Sequence, residues 1–316
     1  VNRNKTYVRT VTAVAAAAVV AMLASCGGGG GGGGGGSADA PTVSVGSKQF
    51  TEQILLGEMY AQAFEAADYN VERNLDLGSE QVMDRSMQDG TIDVYPEYTG
   101  TAFVAILEEN PDDAPDTPEE TTEIVQEFYA NREDTPMQML TPAPFDNNYG
   151  IVMRTEQAEE LGIENLQDLA DNSSELVFSS YSEFQNRSDG FPNMQESYDN
   201  GFEFQDIVIV NDLGIRYQAL AEGEADVAIG FTTDGQLASD QLEVIEDPNA
   251  IWPFYYPAPV VTQELLDANP DAEEILNEVS ASLDADTMRE LNGAVDLEQE
   301  SYEDVARGHL EEAGII

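Results

Sequence analysis

An α/β fold in two lobes is what this sequence predicts, on two observations. Short strand-like runs alternate with helical patterns from residue 42 onward, the signature of α/β architecture with mainly parallel sheets. Two segments rich in proline and turn residues interrupt that alternation: Pro142-Ala143-Pro144-Phe145-Asp146-Asn147-Asn148, and Asp247-Pro248-Asn249 through Trp252-Pro253-Phe254. They read as crossings between lobes. Two crossings imply one lobe inserted in another, with lobe 1 built from 42–145 and 250–316 and lobe 2 from 146–249.

The first residues read as a targeting segment. Arg3, Lys5 and Arg9 precede an apolar run from Val11 to Leu23, which is short for a membrane span. A basic start, a short apolar stretch and small residues make residues 1–25 a secretion signal. Leu23-Ala24-Ser25-Cys26 resembles the lipobox of bacterial lipoproteins, which implies that Cys26 is lipidated and begins the mature chain. Cys26 is the one cysteine in the sequence, so disulfides play no part in its stability. Ten glycines, Gly27 to Gly36, follow. They cannot bury apolar surface, and residues 26–41 read as a flexible tether.

Candidate strands are Thr42–Val45, Val71–Leu77, Ile92–Tyr95, Met137–Leu140, Tyr149–Met153, Leu176–Ser179, Ile207–Val210, Val227–Phe231 and Val260–Val261. In the first helix Thr51 is the expected N-cap, and Leu55, Met59 and Ala63 recur on one face. Where strands end in such a fold, ligands bind beyond their carboxyl ends.

Charge excludes one class of partner. The chain has 62 acidic residues against 12 basic ones, a formal net charge of −50. Such a surface repels nucleic acid. The acids are interleaved with apolar residues, as around Glu119-Glu120 and Glu311-Glu312, so the chain is not a disordered acidic tail. The reading is adaptation to high salt, where self-repulsion is screened.

Two strand-to-helix junctions stand out. Gly46-Ser47-Lys48-Gln49-Phe50-Thr51-Glu52 carries the one lysine outside the signal segment. Asp93-Val94-Tyr95-Pro96-Glu97-Tyr98-Thr99-Gly100-Thr101 crowds tyrosines, a carboxylate and hydroxyls together. A cation, aromatic faces and small donors are the chemistry for holding a small polar molecule.

These motifs, with Leu77-Gly78-Ser79, Glu183-Phe184-Gln185-Asn186-Arg187, Gly190-Phe191-Pro192, Phe231-Thr232-Thr233-Asp234 and Asp286-Thr287-Met288-Arg289-Glu290-Leu291-Asn292, resemble the osmoprotectant-binding proteins of ABC importers. These are the glycine betaine, choline and carnitine receptors of the OpuAC/ProX type. The resemblance runs from about residue 43 to 316. It implies a two-lobed periplasmic-binding-protein fold of type II with the ligand cleft between lobes. It also implies a non-catalytic, monomeric receptor, lipid-anchored outside the cell, that passes a quaternary ammonium ligand to an ABC permease and its ATPase without a cofactor. A trimethylammonium group has no N–H, so ring faces rather than hydrogen bonds must select it. Tyr98, Tyr149 and Tyr217 match the family's aromatic positions, and the fourth falls on Phe231, where relatives often carry tyrosine. Lys48 and Arg187, with the Thr101 hydroxyl, match the positions that meet a carboxylate. Glu183 either orients Arg187 or sits near the ligand cation, and Asn147 stands where some relatives have an acid.

Two other classes compete. An enzyme on the same fold has little to work with: His309 is the one histidine, and the sequence holds no Ser-His-Asp set, no metal-ligand cluster and no phosphate cradle. A sensor domain would need a signalling partner, for which the sequence carries no module.

Overall fold

A computed structural model describes residues 40–133, 135–199 and 201–316. The signal segment 1–25, Cys26 and the tether as far as residue 39 lie outside the described residues. Among these residues the chain forms ten strands: β1 (Thr42–Lys48), β2 (Asn70–Gly78), β3 (Val94–Tyr98), β4 (Met137–Met139), β5 (Tyr149–Arg154), β6 (Val177–Ser180), β7 (Asp206–Ile209), β8 (Val227–Phe231), β9 (Leu242–Val244) and β10 (Pro257–Thr262). They make two five-stranded sheets, ordered β2-β1-β3-β10-β4 and β7-β6-β8-β5-β9. The short β9 went unread in the sequence. Leu242-Glu243-Val244 is too brief to show a period, and its pairing with β5 defines it.

The expectation of mainly parallel sheets holds for four of the five strands in each sheet, and one strand in each runs against the rest. β1 runs parallel to β2 and β3, and β6 parallel to β7 and β8. β10 is antiparallel to β3 and β4, and β5 antiparallel to β8 and β9. In each sheet the reversed strand is the one that follows a crossing. The chain leaves the first sheet after β4, enters the second at β5, and returns after β9 to insert β10. The two crossings run side by side: Asn147 donates its backbone N–H to the Tyr255 carbonyl at 3.0 Å, and Tyr255 N–H donates to Asp146 Oδ1 at 2.7 Å.

β10 carries prolines in the middle of a sheet, where a missing N–H normally breaks the ladder. Pro257 and Pro259 sit where the neighbouring segment offers donors: their carbonyls accept from Ala143 and Leu140. The carbonyl of Leu140, which faces the missing N–H of Pro259, is met by Gln126 Nε2 at 3.5 Å instead.

Helix Thr51–Ala66 is buried along most of its length between the first sheet and helices Ala272–Ala281 and Tyr302–Ala313. Leu55, Met59 and Ala63 lie in the core as expected. Thr51 does not cap it. The N-cap is Phe50, without a side-chain bond, and Thr51 Oγ1 donates to Asp296 Oδ1 at 2.6 Å. A distant partner has overridden the local capping rule. Between the sheets, the turn Gly235–Ala238 meets helix Ala285–Asp296 closely: a Cβ on Gly235 would fall 2.4 Å from Gly293 Cα. Only glycine allows backbones that near.

Candidate functional site

The carboxyl ends of β1, β3, β6 and β8 converge on one cavity of about 430 Å³. Lys48 ends β1, Tyr98 ends β3, Tyr181 follows β6 and Phe231 ends β8. Of the residues expected at the site, Lys48, Tyr98, Thr101, Asn147, Tyr149, Glu183, Arg187 and Phe231 line this cavity.

Its walls are aromatic. Tyr149 and Phe231 are register partners across β5 and β8, which sets their ring centroids 5.9 Å apart. Phe50 neighbours Phe231 at 5.6 Å and Tyr98 at 6.1 Å, all within 25° of parallel from ring to ring. Tyr181 stands 6.2 Å from Phe231, and Tyr255 packs its edge toward Tyr149 at 5.5 Å. Phe50, Tyr181 and Tyr255 all line the cavity. Their signal was position: Phe50 lies inside the first junction motif, and Tyr181 directly follows a parallel strand. Trp252 packs behind Tyr149, at 5.8 Å, as a core residue outside the lining.

Tyr217 is the residue the structure removes from the expected wall. It is buried in a cluster with Val152 and Leu220, and its hydroxyl donates to Asp234 Oδ2 at 2.8 Å. It packs behind the strand at Gly230, where an added Cβ would meet its hydroxyl at 2.3 Å. Asp234 Oδ2 also accepts the Phe231 N–H at 2.7 Å, so it fixes the backbone that carries the ring.

Burial pushes Asp234 up to about 7, against those two hydrogen bonds. Its folded value thus lies above the ordinary 3.8 of an aspartate. The stabilisation from the protonated form is full below about pH 4 and is lost as pH rises through about 7. Each pH unit in that window is worth about 1.4 kcal/mol. Asp234→Asn should therefore gain on the wild type by up to about 3 kcal/mol between pH 5 and pH 8, read from urea melts at both. A difference that does not move with pH would mean Asp234 stays ionised throughout.

The expected cations already have partners. Lys48 Nζ is paired with buried Glu97, and stands 4.8 Å over the Tyr98 ring. Arg187 Nε donates to Asp189 Oδ1 at 2.9 Å, Nη2 to the other oxygen, and Nη1 lies 3.9 Å from Glu80. Asp189 rather than Glu183 is the acid that orients Arg187, and it also accepts from Tyr255 at 2.6 Å. Glu183 instead accepts from Gln49 across the cavity mouth at 3.5 Å.

Beneath the aromatic wall lies Glu52, 2% exposed. Its carboxylate accepts from Tyr98 Oη at 2.7 Å, Asn147 Nδ2 at 2.7 Å, Thr233 Oγ1 at 2.5 Å and Asn292 Nδ2 at 3.1 Å. Burial pushes its pKa up, and the four donors hold it back. With Nδ2 spent on Glu52, Asn147 Oδ1 is left buried at the cavity without a partner. An orphaned acceptor beside ring faces suits a cationic guest.

Two α/β sheets joined by two crossings, with an aromatic cleft at their strand ends, give the fold of a type II periplasmic binding protein. The chain belongs to the family described as the substrate-binding domain of ABC-type glycine betaine transport systems, whose model matches residues 41–312. It is 33% identical over 289 residues to a glycine-betaine-binding protein of Pseudomonas aeruginosa, covering 88% of this chain and 90% of the relative. The apo structure of the Escherichia coli glycine betaine-binding protein YehZ superposes with a TM-score of 0.66 at 31% identity, over 88% of this chain and all of that one. A glycine betaine/carnitine/choline ABC transporter structure shares the fold, with a TM-score of 0.70 at 24% identity over 86% of this chain and 99% of that one.

Proposed function

We propose that the protein is the extracytoplasmic substrate-binding component of an ABC importer, and that it captures a trimethylammonium compatible solute such as glycine betaine. The observation that carries this reading is the aromatic wall of Phe50, Tyr98, Tyr149, Tyr181 and Phe231 beside the unpartnered Asn147 Oδ1. Ring faces attract a desolvated ammonium by about 0.5–2 kcal/mol each. Phe231 keeps the ring face without the hydroxyl. The reading is non-catalytic: the one histidine, His309, is bonded to Ser282 at 2.8 Å and does not line the cavity.

The rest of the proposal follows from the sequence. Lobes of 42–145 with 250–316, and of 146–249, would close on the ligand by hinge motion and present it to a permease driven by an ATPase. The receptor acts as a monomer. Cys26 would carry the lipid that holds it at the membrane, so Cys26→Ser should release the chain into the soluble fraction, and equal membrane retention would remove the anchor.

Calorimetry in molar salt against glycine betaine, proline betaine, choline, carnitine and ectoine tests the ligand class. At least one quaternary amine should bind saturably, and Phe231→Leu should weaken it by about 0.5–2 kcal/mol. An uncharged tert-butyl isostere should be indifferent to that substitution. A panel in which no quaternary amine binds overturns the reading.

A further inference from the structure

Most of the buried acids are matched with a base. Glu58 pairs with Arg73, Glu97 with Lys48, and Asp189 and Glu80 with Arg187. Glu52 has no such match: among the described residues no basic nitrogen lies within 4.0 Å of its oxygens. Two hydroxyls and two amide nitrogens surround it instead, a shell of donors that suits a carboxylate. Asp234 is also buried without a close base, but it is spent on Tyr217 and the Phe231 amide.

Two of the four donors on Glu52 belong to the cavity. Tyr98 and Asn147 line it, whereas Glu52 stands behind them and does not. A carboxylate oxygen can only accept, so it takes the Nδ2 end of Asn147. Oδ1, the negative end of the amide dipole, is thereby turned away from Glu52, and it is the atom left without a partner. The Tyr98 hydroxyl donates to the same carboxylate oxygen at 2.7 Å, which polarises the phenol toward its ring.

Three bases, Lys48, Arg187 and Arg216, line the same cavity. A cationic guest there needs negative charge nearby, and ring quadrupoles carry no net charge. A carboxylate about 7 Å from an ammonium, at an effective dielectric near about 20, is worth about tenfold or more in affinity. Salt screens such a buried pair little. The advantage is mutual, since a desolvated carboxylate with no counter-ion is unfavourable until a cation arrives.

We propose that Glu52 is a positioning residue that supplies the negative charge for the ligand's ammonium from behind the aromatic wall, through Tyr98 and Asn147, without touching the ligand. This rests on the proposed function, which it deepens. The cleft then favours a cationic head over a neutral one of the same shape by more than its rings alone would give.

Calorimetry on the full chain in molar salt, with glycine betaine and choline as probes, tests it. Glu52→Gln keeps the shape and removes the charge. It should weaken both probes by about tenfold or more, because both carry the trimethylammonium. Adding Asn147→Asp to that variant returns one negative charge next to the same site, and should bring both affinities back to within about threefold of the wild type. A support that acts by shape alone would be damaged further by the second change. A double variant that binds no better than Glu52→Gln therefore overturns the proposal, as does a Glu52→Gln protein that binds like the wild type. If Glu52→Gln does not fold, Tyr98→Phe decides: it keeps the ring and cuts it from the carboxylate, so both probes should weaken by about threefold or more, and unchanged binding overturns the proposal. If the wild type binds neither probe, the proposed function falls and takes this inference with it.

Discussion

Glu52→Ala should cost about 3–5 kcal/mol of stability, the upper end for a single substitution. The carboxylate ties four donors that come from distant parts of the chain: Tyr98 at the end of β3, Asn147 in the first crossing, Thr233 beyond β8 and Asn292 in helix Ala285–Asp296. Removing it strands all four in the interior, and each unsatisfied buried group is worth about 1–3 kcal/mol. Water entering the space left by the side chain recovers part of that, so the sum is not reached. Glu52→Gln keeps the shape but turns one acceptor into a donor, and should lose about 1–2 kcal/mol. Urea melts at constant pH measure both. A loss below about 1 kcal/mol for the alanine variant would mean the donors find other partners. Ligand affinity should fall as well, because Tyr98 is held in place through this carboxylate.

Salt should move the melting temperature by an amount few proteins of this size show. The formal charge is −50. Ion pairs among the described residues engage Lys48, Arg73, Arg132, Arg154, Arg187 and Arg289, and 12 bases cannot neutralise 62 acids in any arrangement. The remaining repulsion acts through water and is screened as the Debye length falls from about 10 Å at 0.1 M to about 3 Å at 1 M. Several kcal/mol recovered this way corresponds to about 2–4 °C for each kcal/mol in a chain of this length. Melts in KCl from 0.1 M to molar concentrations should rise steadily. A flat profile would show that the acids are neutralised locally and that the composition is no adaptation to salt.

What could be read in the sequence, and what could not, divides along physical lines. β5 and β8 were legible because strands buried on both faces are written as near-continuous apolar runs, and β1 because Val43 and Val45 alternate with small polar residues. The passages between the sheets were legible because proline punctuates them. Lys48, Tyr98 and Phe231 were legible because strand ends are where such folds hold ligands. Tyr217 was misplaced for a reason of helix phase. Successive residues in a helix are turned by about 100°, so Arg216 faces the cavity while Tyr217 faces the core. Sequence pattern does not fix that phase to one residue. Lys48 stands out as the one lysine beyond the signal segment, whereas Arg216 is one of eight arginines there. Glu52 could not be read as a hub, since its partners lie 46 to 240 positions away.

The connectivity of the sheets sets an order of events during synthesis. Every strand of the second sheet lies between residues 149 and 244, so that sheet can be completed as soon as its own stretch of chain exists. The first sheet cannot. β10 sits in its interior, between β3 and β4, and is not available until residue 262 has been made. Until then β3 is an open edge of buried-type residues, and β4 has nothing to pair with. A nascent chain therefore finishes the later-encoded sheet before the earlier one. An exported protein of this design needs its front half kept from aggregating while its middle folds.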